Sequence, residues 1–354
     1  MLVWRAISEL VMTSVLRKIQ VEMGAQMEAD LPLSFGNDEA AIAAAKERVA
    51  LCDRTHWGLL KVADADRLRF LHNQTTNQFE GRQPGESCDT VFVTSTARTI
   101  DLTTAYVTEE AVLMLTSPGQ DEPLMEWMDR YIFFADKVKL ENLTSQTAKF
   151  SLVGPQAQDL LTRLGFEVPT TGHCLVPTES PLRIAVGNGL ALPGYTLLVD
   201  LAAGATLWQQ LTTAGAVPMG EAPWQQLVVQ QGRPLPGSEL TEDYNPLEAG
   251  LWHTINFDKG CYIGQETIAR LNTYQGVKQQ LWGLTLSAPV EPGTPITQGG
   301  SKIGILTRLV ETPKGPLGLG YIRTKAGGAG LMVEVGSAQG TVVDLPFASR
   351  GYLA

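Results

Sequence analysis

Most of the groups that usually announce a chemistry are scarce in this sequence. Its four cysteines, Cys52, Cys88, Cys174 and Cys261, stand far apart, and no C-x-x-C occurs. Neither a zinc module nor an iron–sulfur cluster site fits that spacing, and four cysteines in 354 residues give no disulfide framework. A reducing compartment, the cytoplasm, is therefore expected. The four histidines, at 56, 72, 173 and 253, have no metal-ligand partner at a useful spacing. A P-loop, a G-x-S-x-G elbow and an H-E-x-x-H helix are all missing. The run 327–330 (GGAG) lies in a turn-rich stretch, so it is a loop and not a dinucleotide fingerprint.

Positive charge is short too. Lys and Arg number 27 against 37 Asp and Glu, a net charge of −10. That excludes the basic footprint needed to wrap DNA. Residues 277–354 are mildly basic, with seven Lys or Arg against four Asp or Glu, and read as a solvated surface. Long apolar runs are absent as well. Residues 1–28 carry Trp4, Ile7, Leu10, Val11, Val15, Leu16 and Ile19 at roughly helical spacing but no run of about 18 apolar residues, so no membrane span is expected. Nor do they show a secretory cleavage pattern. Two readings of this extension stay open: a loosely docked amphipathic helix, or a start site at Met23 or Met27. Nothing in the sequence requires an oligomer, and a monomer is expected.

What is present is an ordinary globular balance, 44% apolar and 18% charged, enough for substantial cores. The length suggests two or three domains. Asn37 is placed to cap a helix over 38–50. Residues 58–63 read as a strand, 64–73 as a helix, 90–95, 100–108 and 112–116 as strands, and 119–131 as a helix. A second set follows: strand 149–153, helix 156–164, strands 182–186 and 195–199, helices 203–214 and 221–231. Strands alternating with helices of this length predict split βαβ units in a ferredoxin-like arrangement. From Val277 onward, short apolar runs alternate with Gly and Pro turns, the texture of a small β-barrel. The expected fold is therefore α+β with a C-terminal barrel. The expected boundaries are an extension over 1–28, a first domain over 29–147, a second over 148–276 and the barrel over 277–354.

Just before the barrel, residues 259–266 read K-G-C-Y-I-G-Q-E. A short strand over 255–257, a turn at 258–260 and a helix from Gly264 would put Cys261 at or just before a helix N-terminus. Unpaired N–H groups and Lys259 would there favour a thiolate, while Asp258 opposes it. The plain alternative is an inert, buried cysteine. Lys259 and Arg270 could meet an anionic group or pair with Glu266, and Tyr262 could stack on a ring or fill core. Upstream, Glu248 in N-P-L-E-A-G-L (245–251) could accept hydrogen bonds from a pterin or purine edge, or cap the next element.

The octapeptide with Ala269–Arg270 behind it resembles the signature of the YgfZ-type folate-binding proteins, which are themselves similar to the glycine cleavage system T-protein, an aminomethyltransferase. Residues 48–58 (RVALCDRTHWG), 70–77 (FLHNQTTN) and 245–251 extend the resemblance, from about residue 30 to the end. It implies α+β domains around a central hole, closed on one side by the barrel, with tetrahydrofolate in the hole. It further implies a role in assembling or repairing iron–sulfur clusters of client enzymes, including tRNA-modifying ones, with Cys261 as the functional thiol. By the same resemblance, Asp101 and Gln230 would lie near the pterin, Glu248 would support the site, and Lys259, Tyr262 and Arg270 would contact ligand.

Three departures separate the chain from T-proteins. Where these have G-x-x-x-D-D-L-x-x-Y, residues 97–106 keep Asp101 but have Leu102. Where they have R-L-E-A-G, residues 228–232 have Gln230, which hydrogen-bonds but forms no charge-assisted pair. They also lack the cysteine. A folate-dependent aminomethyltransferase, and a scaffold that has lost its ligand, remain as alternatives.

Overall fold

The protein is described here by a computed structural model covering residues 15–353. The chain forms two compact units, each discontinuous in sequence. The first takes residues 15–67, 81–88 and 104–224, the second 68–80, 89–103 and 225–353.

The first unit contains two split βαβ arrangements. In one, strand Gly58–Ala63 is flanked by Ala111–Thr116 and Lys139–Asn142, and residues 104–107 pair with the outer side of Ala111–Thr116. This is the ferredoxin-like order, with helix Asp121–Asp129 as the second crossover. The other is a six-stranded sheet in the order His173–Val176, Leu182–Val186, Gly194–Asp200, Thr147–Val153, Ala50–Asp53, Val217–Met219. Here Ala50–Asp53 is inserted between the first and last strands of the motif. Alternation along Thr147–Val153 sends Ala148, Phe150 and Leu152 into a core with Leu160, Leu161 and Trp208. The opposite face carries Lys149, whose ammonium is fully buried and donates to the carbonyls of Thr144 (2.9 Å) and Thr147 (3.0 Å). Burial lowers its pKa to about 7.

Residues 15–22 are helical. Leu16 enters the same core, Arg17 donates to Asp53 at 2.5 Å, and Gln20 donates to that carboxylate at 2.9 Å. Trp4, Ile7, Leu10 and Val11 lie outside the described residues. Next to Asp53, the Arg54 guanidinium lies 3.3 Å from the Trp57 ring centroid and 3.9 Å from that of Trp224.

Within the second unit, a barrel closes in the order Gln279–Leu286, Leu317–Arg323, Ser301–Val310, Pro295–Gln298, Met332–Val335, Ala338–Val343 and back to the first. Every pairing is antiparallel. Leu284, Ile296, Leu306, Ile322, Val333 and Val335 fill it. A bulge between Leu306 and Arg308 breaks the alternation and directs both Thr307 and Arg308 at buried Glu239. Burial pushes the Glu239 carboxyl up, and Arg308 opposes that.

The α+β class and the barrel match the expectation, and most elements fall within a few residues of it. Three details differ. The helix expected over 38–50 spans Asp38–Glu47, because Ala50–Asp53 is taken up as a buried strand. Asn37 stands at the N-cap position, but its side chain donates to Pro218 O at 3.1 Å and does not cap the helix. Residues 255–257 form no strand and follow a single 3-10 turn, Trp252–Thr254.

Candidate functional site around Cys261

All seven residues singled out from the sequence belong to the second unit. The octapeptide occupies an irregular stretch leading into helix Gln265–Thr273. Gly264 is the N-cap residue, at φ 80°, and a Cβ there would lie 2.8 Å from Thr94 O and 3.1 Å from the Ala97 Cα. Only glycine fits both the left-handed backbone and the close approach. Tyr262 and Ile268 anchor the segment in a small core with Ala97, Leu247, Trp252, Ile255 and Val277.

Cys261 is exposed, so a buried inert thiol is excluded. It stands four residues ahead of Gln265, outside the first helical turn, where the dipole effect has faded. The expected activation by a helix N-terminus therefore does not operate. Lys259 does not reach outward to supply it either. Its side chain is buried, and Nζ donates to the carbonyl oxygens of His72, Thr75 (2.7 Å) and Asn77 (2.8 Å). The same ammonium lies 4.5 Å from the Tyr262 ring centroid. Three carbonyls take the three donors of the ammonium, so Lys259 works as a clamp between the octapeptide and residues 72–77. Tyr262 is buried under it, and burial pushes the phenol up. Arg270 is exposed on helix Gln265–Thr273.

The remaining three residues are spread over other elements. Asp101 lies on strand Thr99–Val107 and is fully buried. Gln230 is half-buried near the end of helix Glu221–Gln231. Glu248 is buried in its own turn, where its carboxylate accepts from Asn245 N at 3.1 Å while Asn245 Oδ1 accepts from Leu247 N and Glu248 N. Burial raises its pKa. The capping reading of Glu248 thus accounts for one of its oxygens. Asp101 brings a buried carboxylate and Gln230 a half-buried amide, residue types that can accept from and donate to the edge of a pterin.

His72 was passed over in the sequence as an isolated histidine. It lies in the last turn of helix Arg67–Gln74 and is 5% exposed. Its Nδ1 accepts from the backbone N–H groups of Phe79 and Glu80, each at 3.4 Å. Its Nε2 lies 3.4 Å from where a Cβ on Gly260 would be. The signal in the sequence was only its place in F-L-H-N-Q-T-T-N, beside the later Thr75 and Asn77.

Comparison with known proteins gives the class. Residues 12–172 match the family model described as the GCVT N-terminal domain. An Arabidopsis thaliana protein named "Putative transferase", chloroplastic, is 42% identical over 340 residues, covering 94% of this chain and 79% of the relative. An aminomethyltransferase of Halalkalibacterium halodurans is 29% identical over 344 residues, covering 91% and 92%. The crystal structure of the glycine cleavage system aminomethyltransferase T of Bartonella henselae superposes with a TM-score of 0.83 at 19% identity, covering 95% of this chain and 98% of that one. The chain belongs to the GCVT family and has the fold of the glycine cleavage T-protein. Among the described residues, no helix is long and apolar enough to cross a membrane. The plant relative is named as chloroplastic, which does not fit the plain cytoplasmic expectation.

Proposed function

We propose that this protein is a YgfZ-type member of the family: it binds tetrahydrofolate and supports the assembly or repair of iron–sulfur clusters in client enzymes, with Cys261 as its functional thiol. The observation that carries this reading is the exposed Cys261 on a segment whose every other anchor is buried: Lys259 in a carbonyl cage, Tyr262 beneath it, Gly264 in a backbone conformation that other residues resist. A segment this firmly held, with its thiol presented to solvent, suits a group that must meet another protein. Tetrahydrofolate would be held by Asp101 and Gln230 at the pterin edge and would supply its one-carbon chemistry when bound.

Two experiments test the reading. Tetrahydrofolate titration should show saturable binding; no saturation below millimolar ligand would remove the folate half. Complementation of a deletion strain should fail with Cys261→Ala, read as the activity of iron–sulfur enzymes; full rescue would remove the thiol.

A second reading, a folate-dependent aminomethyltransferase, is favoured by the bacterial relatives of that name and by the retained Asp101. Tetrahydrofolate-dependent ammonia release from an aminomethylated lipoyl carrier would establish it and displace the first. A melting temperature indifferent to folate would leave only the scaffold.

A further inference from the structure

We propose that the first unit carries a further binding site, an open pocket in which the Arg183 guanidinium takes a carboxylate and a wall of leucines takes its aliphatic tail. The ligand class is a small aliphatic monocarboxylate. The pocket shares no residue with the Cys261 segment or with Asp101, Gln230 and Glu248, so it stands independently of the function proposed above.

The argument starts from the register of the six-stranded sheet. Arg183, on strand Leu182–Val186, pairs with Leu175 on one side and with Leu198 on the other. Directly opposed residues share a face of a sheet, so Arg183 stands between two leucines. Leu197, next to Leu198, belongs to the core of Ala148 and Phe150, so Arg183 is on the face turned away from that core. Leu59, Leu113 and Leu143, from the ferredoxin-like side of the unit, line the same pocket, which has a volume of about 270 Å³. At one water's share of about 30 Å³ per non-hydrogen atom, that is room for about nine atoms. Leu198 is buried, and Leu175 leaves 54% of its surface in water, apolar area that an aliphatic tail would cover.

His173 aims the guanidinium. Its Nε2 meets the Val107 carbonyl at 2.9 Å. A carbonyl only accepts, so Nε2 carries the proton and Nδ1 is left as an acceptor. Arg183 Nη1 donates to that Nδ1 at 2.7 Å. Burial and the neighbouring Arg183 keep the imidazole neutral, with a pKa lowered to about 4. The arginine is thus oriented without being neutralised. Among the described residues no carboxylate pairs with it, and the ionisable groups that act on it are Cys174 and Tyr106. Burial disfavours its charge, and an anion in the pocket would offset that. Since Arg183 lines the pocket, the rest of its donor fork is available there. A planar fork matches the two oxygens of a carboxylate.

Asp200 sets the charge of the ligand. It lines the same pocket, and its Oδ1 accepts from Ala202 N at 2.8 Å as the cap of helix Leu201–Thr213. A second carboxylate on the ligand would meet it with like charge. A monoanion with an apolar tail is therefore favoured over a dianion.

Hexanoate is the probe, titrated calorimetrically into the full-length protein. Acetate lacks the tail, hexanol lacks the charge, and adipate carries a second carboxylate. Hexanoate should saturate the site, and each of the other three should bind at least about tenfold more weakly. Arg183→Gln should weaken hexanoate about ten- to hundredfold, the range of a charge-assisted hydrogen bond. Arg183→Lys keeps the charge, loses the fork and should fall between. Leu175→Ser, at an exposed position, should weaken hexanoate and leave acetate unchanged. It keeps the proposal testable if melting temperatures show that the arginine variants fold poorly. Absence of saturable hexanoate binding to the wild type would overturn the proposal. So would equal affinity in the wild type, Arg183→Gln and Leu175→Ser. Adipate binding as tightly as hexanoate would overturn the monoanion. No arm of the experiment uses folate or Cys261, so failure here and failure of the proposed function are separable.

Discussion

The Lys259 ammonium donates to the Thr75 carbonyl at 2.7 Å, across 184 residues of sequence, and the same nitrogen also bonds the carbonyls of Asn77 and His72. This knot ties the octapeptide to the end of helix Arg67–Gln74. Lys259→Met keeps the length of the side chain but strands three buried acceptors. Urea denaturation should show a loss of about 2–4 kcal/mol, above that of an ordinary surface change. A loss under about 0.5 kcal/mol would mean that water replaces the ammonium freely.

Gly264 provides a second, independent test of how the segment is built. Its φ of 80° and the 2.8 Å approach to Thr94 O both oppose a side chain. Gly264→Ala should cost about 1–3 kcal/mol through backbone strain and displacement of residues 94–97. Chemical denaturation together with a Cys261 alkylation rate would show whether the thiol moves when the helix start is disturbed.

The acid limb of the stability profile should be dominated by two histidines. Burial, assisted by Arg54, lowers His56 to about 4, and burial with Arg183 beside it lowers His173 to about 4. Unfolded, both titrate near the ordinary 6.5. The unfolded chain therefore binds more protons between these values, so stability present above pH 6.5 is lost as the pH falls toward 4. Glu239 has the opposite sign: its raised carboxyl contributes below the ordinary value and fades as pH rises. Thermal melts between pH 7.5 and 4.5 should show the fall, and His173→Gln should flatten it. A flat wild-type profile would contradict the buried-imidazole account.

Folate binding has a stability signature as well. A ligand at one hundred times its Kd stabilises the native state by about 2.7 kcal/mol. Tetrahydrofolate should therefore raise the melting temperature of the wild type, and Asp101→Asn should blunt the rise by removing the negative charge and replacing one acceptor oxygen with an NH2 donor. An equal rise in both proteins would place the pterin away from Asp101.

Where periodicity carried information, the sequence was a good guide. Strand Gly58–Ala63, strand Leu182–Val186 and helix Glu221–Gln231 stand where alternation and helical spacing put them. Short pieces were not legible. Ala50–Asp53 reads as the tail of the preceding Ala-rich helix, and only its pairing with Val217–Met219 and Thr147–Val153 makes it a strand. At the site, the octapeptide marked the right place but gave the wrong electrostatics. Lys259 looks like a free cation in sequence, because the carbonyls that hold it come from residues 72–77. Glu248 looks like a ligand acid, and its hydrogen bond to Asn245 N is a three-residue turn that a sequence pattern does not separate from a binding role. His72 stayed invisible for the same reason as Lys259: its meaning lies in contacts to Phe79, Glu80 and Gly260, not in its neighbours along the chain.

The guanidinium of Arg54, held within 4 Å of two indole centroids, also makes these indoles an optical probe within the first unit. Trp57 and Trp224 are chromophores fixed in an asymmetric setting and screened from water, a condition that generates a tryptophan band in near-ultraviolet circular dichroism. Trp252 and Trp282 are buried in the unit that carries Cys261, so the part of the band lost in Trp57→Phe is the part that reports the first unit.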